Sequence, residues 1–274
     1  AGLVRGVTSV PSGEVYASYG HGVVVVDFLV SQVVNFAGKK NQAGAQDGHA
    51  LTEALFYQPA GILGLASGAV IVADQGNLKL RKIVKTQVET FAGCGSYGLL
   101  DGPAAEARFS KPTDLALVGD QIFVADWRYV RIISPDGIVS TLTTKNGWIG
   151  DVETQRDTIV FSDLACICPY DTDKGVYVTD PETKRLVRID VNNREVRSMT
   201  GDSKKNSPAQ HRDTEEYLAA MEISSSNDSV ITNKSPSRAS NKMAHPSALC
   251  AMPSGAILVL DQSKRWVSLI SSTS

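Results

Sequence analysis

The sequence predicts an all-β fold, a β-propeller built of four-stranded antiparallel blades. Three observations lead to this prediction. A strand-like segment that ends in Asp recurs along the chain, further short apolar segments accompany each copy, and the phrases between the copies repeat as well. A four-stranded unit of this size cannot bury both of its faces alone, and radial repetition of blades solves that problem for antiparallel sheets. Five repeats are visible, which predicts five or six blades.

The recurring strand, called the anchor strand below, is the most regular feature of the chain. It ends in Asp74, Asp126, Asp180 and Asp261 in four of the five copies, and in Tyr19 in the first copy. The second, third and fourth anchors follow one another at spacings of 52 and 54 residues. A fixed period of this length is the signature of a repeat architecture.

Four short segments, a to d, make up each repeat. In the second repeat they are residues 61–65 (a), the anchor strand 70–74 (b), 80–84 (c) and 88–93 (d). Each is apolar, rich in β-branched residues and bounded by Gly, Pro, Asn or Asp, as strands are. The Ser67-Gly68 turn between a and b recurs in the first and last repeats, which favours a common hairpin.

The connector between segment d of one repeat and segment a of the next also repeats. It runs from Asp47 to Phe56 in one copy and from Asp101 to Phe109 in the next. We expect one turn of helix that the Asp caps, followed by a Phe that fills the gap between neighbouring blades. Phe161 ends the corresponding stretch of the fourth repeat.

Taken together, these phrases resemble the repeat of the NHL family. The shared order is Phe-Ala-Gly, a Gly-rich turn, Asp-Gly, Ala-x-Phe, Pro, a small apolar strand, hydrophobic-Val-Ala-Asp and then basic-Ile. The resemblance is strongest over residues 35–140 and absent from residues 202–242. It implies one propeller domain over residues 1–274.

Residues 202–242 form an exceptional stretch that lengthens the anchor spacing to 81 residues. Its composition, rich in Ser, Asn and Lys, predicts a flexible insertion between the fourth and fifth visible blades. We expect limited proteolysis to cut there first.

Bulk composition restricts the classes of partner. The chain has 27 Lys and Arg against 29 Asp and Glu, a net charge of −2, so no bulk attraction draws it to nucleic acid or to anionic lipid. It has no apolar run long enough to span a bilayer. The four cysteines lack any CxxC pair, which argues against a zinc cluster; a reducing compartment and one long-range disulfide both fit.

Two motifs look catalytic but have simpler interpretations. Residues 93–98 match GxGxxG, yet they follow an outer strand and no long helix comes after them, so a plain turn is favoured. The four histidines lack HxH or HExxH spacing, and the a segments carry almost no side chains that could bind a metal. We therefore expect no catalytic residues, no metal, no cofactor and no enzymatic activity. The alternative is a propeller enzyme of lyase or hydrolase type with a metal in its channel.

The anchor aspartates have a structural interpretation as well, because a catalytic acid is needed once whereas a residue repeated in every blade solves a structural problem. We predict that each pairs with a basic residue of segment c. The predicted partners are Lys82 for Asp74, Arg131 for Asp126 and Arg188 for Asp180, and Asp261 is assigned the same structural role.

Strand alternation places the b–c turns and the d–a connectors on one face of the propeller. Acidic residues of the connectors lie among the basic residues of the turns, and a rim that carries both signs favours a protein surface over a polyanion. We predict that another protein docks on this face. The predicted contact residues are Lys79, Trp127, Arg128, Lys184, Arg185, Lys264 and Arg265.

The favoured function is therefore a non-enzymatic protein interaction or adhesion module. Two N-x-S sequons predict glycosylation at Asn227 and Asn233. With the repeat and the Ser/Asn-rich insertion, they make the chain similar to the NHL ectodomains of kinetoplastid surface glycoproteins that link the flagellum to the cell body. That resemblance implies an extracellular or cell-surface location, with the cytoplasm as the alternative.

The last alternative is RNA binding, as known for NHL domains of tripartite-motif proteins. Trp127, Arg128 and Tyr129 are the best local match to an aromatic and basic stacking site. The net charge and the acidic connectors argue against it. The sequence does not determine the partner or the oligomeric state.

Overall fold

The computed structural model describes residues 4–27, 32–144, 147–148, 159–171, 174–199, 246–251, 257–261 and 266–270. This part of the chain is almost entirely β-structure, with one short 3₁₀ helix, η1 (Gln75–Asn77). The chain divides into two compact units, residues 1–142 and 143–274. Within the described ranges, no helix is both long and apolar enough to cross a membrane.

The first unit contains three blades, and all of their strand pairs are antiparallel. Blade one is a four-stranded sheet in sequence order: β1 (Val4–Ser9), β2 (Val15–Tyr19), β3 (Gly22–Asp27) and β4 (Gln32–Gly38).

Blades two and three each have a fifth strand of two residues, which the connector contributes to the outer edge. Blade two has the order β5-β9-β8-β7-β6, with β5 (Gly48–His49), β6 (Ile62–Gly64), β7 (Val70–Asp74), β8 (Lys79–Val84) and β9 (Gln87–Ala92). Blade three has the order β10-β14-β13-β12-β11, with β10 (Gly102–Pro103), β11 (Pro112–Val118), β12 (Gln121–Asp126), β13 (Tyr129–Ile133) and β14 (Ile138–Thr141).

The described part of the second unit contains a small hairpin and two further sheets. The hairpin consists of β15 (Thr143–Thr144) and β16 (Gly147–Trp148). Blade four has sequence order: β17 (Cys166–Asp171), β18 (Gly175–Asp180), β19 (Arg185–Asp190) and β20 (Glu195–Ser198). The fifth sheet has three strands: β21 (Pro246–Ala251), β22 (Ile257–Asp261) and β23 (Trp266–Ile270).

The predicted fold class is confirmed: the sheets are blades of a β-propeller, and the five anchor segments are the strands β2, β7, β12, β18 and β22. The single-domain assignment stays a prediction. The predicted insertion at residues 202–242 lies outside the described residues, as do Asn227, Asn233, Lys264 and Arg265.

The predicted role of the connector Phe is confirmed in the first unit. Phe56 is buried in a cluster that joins Tyr16 and Val23 of blade one to Val70 and other apolar residues of blade two. Phe109 takes the same place between blades two and three. Burying a side chain of this size stabilises a fold by roughly 1.5–3 kcal/mol, so each Phe contributes substantially to the packing of its two blades.

The predicted single turn of the connector is present, but its predicted cap by Asp is wrong. The segment after His49 makes one hydrogen-bonded turn, in which the amides of Glu53 and Ala54 both bond to the carbonyl of His49, but it does not continue as a helix. Asp47 does not cap this turn; its carboxylate binds Arg81 and Thr90 instead. A carboxylate binds a buried arginine more strongly than it binds a backbone amide at a short turn.

Candidate interaction surface

The anchor Asp fixes the chain just after the buried Phe of the connector. In blades two, three and four, the carboxylate of the anchor accepts a hydrogen bond from the backbone N–H of the residue that follows the Phe. The three bonds, each 2.8 Å long, run from Tyr57 to Asp74, from Ser110 to Asp126 and from Ser162 to Asp180. The recurrence of Asp and Phe in the sequence therefore has one structural cause.

In blade three a fully buried arginine joins the anchor to the connector. Arg131 donates to Asp126 at 3.2 Å and to Asp101 at 2.8 Å. It also donates to the carbonyls of Arg108 at 2.8 Å and Leu100 at 3.0 Å. Four charge-assisted hydrogen bonds on one guanidinium hold the strand and the connector together.

Blade two repeats this arrangement at Arg81. Its guanidinium donates to Asp74 at 2.9 Å and, through Nε, to Asp47 at 3.0 Å. It also donates to the carbonyls of Leu55 at 3.0 Å and Gln46 at 2.7 Å. We call each set of one arginine and two aspartates a latch.

Both latches also use the inter-blade Phe. The guanidinium of Arg81 lies 5.0 Å from the ring centre of Phe56, and that of Arg131 lies 5.2 Å from Phe109. A planar, weakly hydrated guanidinium can stack on a ring while it hydrogen-bonds at its edge, which an ammonium cannot do. This explains why an arginine occupies the position in both blades.

Burial raises the pKa of Asp126, against the opposing effects of the Lys111 and Ser110 amides and of Arg131. Burial likewise raises the pKa of Asp74, while hydrogen bonds from Asn77 and Tyr57 and the charge of Arg81 oppose the rise. In both sites the opposing effects come from neighbouring amides as well as from the latch arginine, and the effect of burial is the larger.

The predicted pairing of Asp126 with Arg131 is confirmed, but the two other pairings are wrong. Asp74 pairs with Arg81, whereas Lys82 lies 3.5 Å from Glu89. Asp180 lies 3.7 Å from Arg185, whereas Arg188 lies 3.6 Å from Asp190.

Strand register explains both corrections. Arg81 and Arg131 lie opposite the residue two positions before the anchor Asp, and the residue at that place in blade four is Val187. Arg188 is one position further along β19. A shift of one residue on a strand moves a side chain to the other face of the sheet. Blade four therefore keeps the anchor but has no latch arginine.

The b–c turns share a strained backbone. Leu78, Trp127 and Lys184 each adopt a positive φ, between 54° and 58°. This conformation is costly for a bulky residue, and strain of that kind often marks a functional site. Because it recurs in three blades, we assign it to the geometry of the turn and give it no functional meaning.

The predicted contact residues of the first unit lie on or beside these turns. Lys79 begins β8, and Trp127 with Arg128 forms the turn between β12 and β13. The guanidinium of Arg128 stacks 4.6 Å from the ring centre of Trp127. The two stacked side chains together present a flat patch that is partly apolar and partly cationic.

The predicted contact residues of the second unit have separate surroundings. Lys184 is exposed in the turn before β19, and Arg185 donates to Thr183 at 2.8 Å and to the carbonyl of Val160. Arg185 is thus engaged within its own blade. The described residues do not include Lys264 and Arg265, and Asp261 is the last residue of β22.

The connector before blade three carries an apolar surface that the sequence interpretation missed. Tyr97 is 64% exposed, Leu99 40% and Leu100 45%. Strand pairing and the matching carbonyl contacts of the latches align these residues with Ala43, Ala45 and Gln46 of the preceding connector. Small and polar residues in one connector are therefore replaced by large apolar ones in the next.

Cationic side chains lie at the edge of this apolar surface. Lys79 approaches the turn at Gly95, and Arg108 lies against Gly98 and influences the Cys94 thiol. A backbone hydrogen bond from Ser96, together with its hydroxyl and Arg108, lowers the pKa of this exposed thiol. We call Lys79, Tyr97, Leu99, Leu100 and Arg108 the connector patch.

The described part of the chain offers few side-chain groups that could bind a metal or act as a histidine site. It contains no group of three or more His, Cys, Asp or Glu side chains placed to hold a metal ion. His21 accepts a hydrogen bond from the amide of Gln58 at 3.2 Å, and its ring lies 5.6 Å from that of Tyr57. These contacts give His21 a structural role between blades one and two.

Comparison with solved structures supports the propeller fold. The chain superposes on a catalytically inactive variant of virginiamycin B lyase from Staphylococcus aureus, crystallised with Quinupristin, with a TM-score of 0.54 and 10% identity, covering 99% of this chain and 82% of that one. A calcium-binding protein, regucalcin, from Agrobacterium tumefaciens gives a TM-score of 0.52 at 10% identity, covering 98% and 76%. At such identities the likeness shows the fold alone.

Sequence relatives are more limited. A segment of 77 residues is 36% identical to the chloroplastic protein SUPPRESSOR OF QUENCHING 1 of Arabidopsis thaliana. The match covers 27% of this chain and 7% of that protein. A protein of unknown function from Bacteroides thetaiotaomicron superposes with a TM-score of 0.50 and 17% identity over 65% of this chain and 44% of its own. No family model matches the chain.

Proposed function

We propose that this chain is a non-enzymatic protein-interaction module with NHL-type repeats, whose partner docks on the b–c turns and d–a connectors of the first unit. The connector patch is the observation that carries the proposal. Exposed aromatic and aliphatic side chains beside cations are the composition of protein-binding surfaces, and Tyr and Arg are the residues that most often dominate binding energy.

The partner's chemistry follows from the patch. Tyr97, Leu99 and Leu100 offer apolar contact area, and Lys79 and Arg108 flank it with positive charge. The Trp127–Arg128 stack adds a second aromatic and cationic element in the next b–c turn. We infer a protein partner that presents apolar side chains next to carboxylates. An interface of this type commonly buries about 1,200–2,000 Å² in total.

Variation among the repeats also supports docking of the partner on this face. The latches and the anchor bonds are nearly identical in blades two and three, while the exposed residues of their connectors differ in size and polarity. Specificity in a repeat scaffold resides in such variable positions on a rigid frame. An extracellular or cell-surface location, as implied by the resemblance to NHL ectodomains and the two sequons, is part of the proposal.

The test compares partner capture by the chain and by the combined variant Tyr97→Ser, Leu99→Ser and Leu100→Ser. Cell-surface and cytosolic fractions of the source cell are passed over each immobilised protein, and specifically retained proteins are identified by mass spectrometry. We expect a retained protein whose affinity falls at least tenfold in the variant. Because all three side chains are exposed, the melting temperature of the variant should change only by the small amount that is usual for surface substitutions.

The matched control is Val84→Ser with Ile138→Ser, two residues of similar exposure on strands β8 and β14. This control should retain the partner fully. Equal capture by the patch variant and the control would refute the proposal. Binding of a labelled RNA pool that weakens steeply with salt would favour the RNA-binding alternative, and turnover of a substrate with a metal bound would favour the enzyme.

A further inference from the structure

The turn at residues 93–98 carries a group of side chains that the neighbouring repeat does not share. Its middle residues, 94–97, are all exposed. Gly93, Gly95 and Gly98 have positive φ angles, between 84° and 148°. Such a backbone is strained for any residue with a Cβ, so these positions leave the main chain open to the side chains around it.

Two cations lie against this turn. A methyl group at Gly95 would lie 3.0 Å from Cε of Lys79 and 4.0 Å from its Nζ. A methyl group at Gly98 would lie 3.5 Å from Cδ of Arg108, whose guanidinium also hydrogen-bonds to the Cys94 thiol. Two full positive charges therefore lie beside one short stretch of backbone.

Neither cation is neutralised within the described part of the chain. The ion pairs found there do not include Lys79 or Arg108. The aspartates of the two connectors, Asp47 and Asp101, are engaged by the latch arginines instead. The positive charge at the turn is therefore available to an anion that comes from outside these residues.

The preceding connector lacks this group of side chains. Gly22 takes the place of Lys79, because each pairs with the last residue of its anchor strand. Leu55 takes the place of Arg108, because the carbonyl of each accepts a hydrogen bond from a latch arginine. A structural group recurs with the repeat, as the latches do. A group present in only one of two otherwise matching connectors is what a binding site requires.

We propose that the connector patch binds a phosphate or sulfate ester carried on an aromatic ring of the partner protein. The inference rests on the proposed function, because it names one of the anionic groups that the patch recognises. The oxyanion bonds to Lys79 and Arg108, and the ring lies on Tyr97. Phosphate and sulfate esters share a tetrahedral shape with three free oxygens, so one group can bond to both cations, whereas a carboxylate offers two oxygens in one plane.

An aromatic carrier fits the apolar half of the patch better than an aliphatic one. Tyr97 is 64% exposed and Leu99 40%. An aromatic ring can pack on these side chains and gains the additional attraction of ring pairs. The ester of a serine or threonine would present only a short polar chain to them.

The test is a titration of the isotopically labelled full chain with blocked amino acids, followed by NMR. The ligands are the N-acetyl amides of phosphotyrosine and sulfotyrosine, and the comparisons are those of tyrosine and para-carboxyphenylalanine. We expect at least one ester to shift the amide signals of residues 93–100 to saturation, with a dissociation constant of about 1 mM or lower. The tyrosine amide should not saturate, and the carboxylate should bind at least about threefold more weakly than the ester.

Substitution of either cation should weaken binding of the ester. Arg108→Gln and Lys79→Gln should each raise the dissociation constant about fivefold, since each removes one charge-assisted hydrogen bond. The matched control is Lys40→Gln, which removes the same charge from a side chain that lies 4.7 Å from the ring centre of Tyr19. The control should leave the affinity unchanged, and thermal denaturation establishes that all three variants are folded.

Three results would overturn the proposal: no saturation by either ester at about 10 mM, equal weakening by Lys40→Gln and Arg108→Gln, or a carboxylate that binds as tightly as the esters. A short oligouridine RNA that displaces the esters and binds more tightly would also overturn it, in favour of a nucleic acid. The proposed function fails by a different result, namely equal protein capture by the combined serine variant and its control, and this result does not depend on the binding of the esters.

Discussion

Blades three and four share an anchor Asp and a buried connector Phe, but the carboxylate of that Asp has different basic partners in the two blades. In blade three the buried Arg131 joins Asp126 to Asp101. In blade four the described base beside Asp180 is Arg185, which is partly exposed and 3.7 Å away. The hydrogen bond to the amide after the Phe is the same in both, so it is the shared requirement of the repeat.

The contrast separates two roles that a recurring residue can have. The bond from the anchor to the Ser110 or Ser162 amide fixes the chain beside the Phe in each blade. The latch adds a fully desolvated ion pair, which is stable only while every partner is present. Blade four shows that the first role does not need the second, and substitutions in the two blades can test this difference.

The largest effect is expected for Arg131→Leu. Removal of the guanidinium leaves the fully buried carboxylate of Asp126 without its counter-ion, whereas Asp101 is 38% exposed and keeps its bonds from Thr141. Breaking a buried pair in this way costs about 3–5 kcal/mol. We expect a clear fall in the free energy of unfolding, measured by urea denaturation.

The matched control for this change is Arg188→Leu on strand c of blade four. Arg188 is partly exposed, stacks on Tyr170 and lies 3.6 Å from Asp190. A pair with one partly exposed partner contributes less than a fully buried pair, about 1 kcal/mol. If the two leucine variants lost equal stability, the latch would not be the feature that distinguishes the blades.

A smaller effect is expected for Asp126→Ala, which removes one side of the latch and the acceptor of the Ser110 and Lys111 amides. The loss should be about 1–3 kcal/mol, since Arg131 keeps Asp101. The companion variant Asp180→Ala loses the Ser162 bond but no latch, so its melting temperature should fall less. An unchanged melting temperature for Asp126→Ala would contradict the structural role of the anchor.

Much of the fold could be predicted from the sequence, because the anchor strands repeat at a nearly constant period and their ends are marked by Asp. The latch partner could not be assigned reliably. The b–c turn differs in length, so that the residue paired with the anchor is Lys79 in blade two, Tyr129 in blade three and Arg185 in blade four. Without that register, Arg81 and Lys82 are equally good candidates.

The candidate surface was predicted only in part. Basic residues such as Lys79 and Arg128 are evident in the sequence, whereas Tyr97 and Leu100 lie in a Gly-rich turn between apolar strands and do not look exposed. Their exposure depends on the parallel bridge from Tyr97 to Phe109 and on the carbonyl of Leu100, which is directed to Arg131. Aligning the two connectors residue by residue would have shown apolar residues where the first has Ala and Gln.

The smallest effect concerns the charge cluster that blade four has in place of a latch. Burial alone would raise the pKa of Asp190, but hydrogen bonds from the backbone and side chain of Asn193 and the charge of Arg188 hold it below its ordinary value. A carboxyl with a lowered pKa in the folded state stabilises the fold above the pKa it has in the unfolded chain, about 3.9, and this contribution disappears as the pH falls through the folded pKa. Asp190→Asn should therefore cost about 1 kcal/mol at neutral pH, and the cost should shrink steadily as the pH falls below about 3.9, as measured by urea denaturation over a pH series. Asp120→Asn, an exposed change of the same charge in the turn before β12, serves as the control and should show little effect at any pH of the series. A deficit of Asp190→Asn that persisted undiminished at the acidic end of the series would show that its charge is not what stabilises blade four.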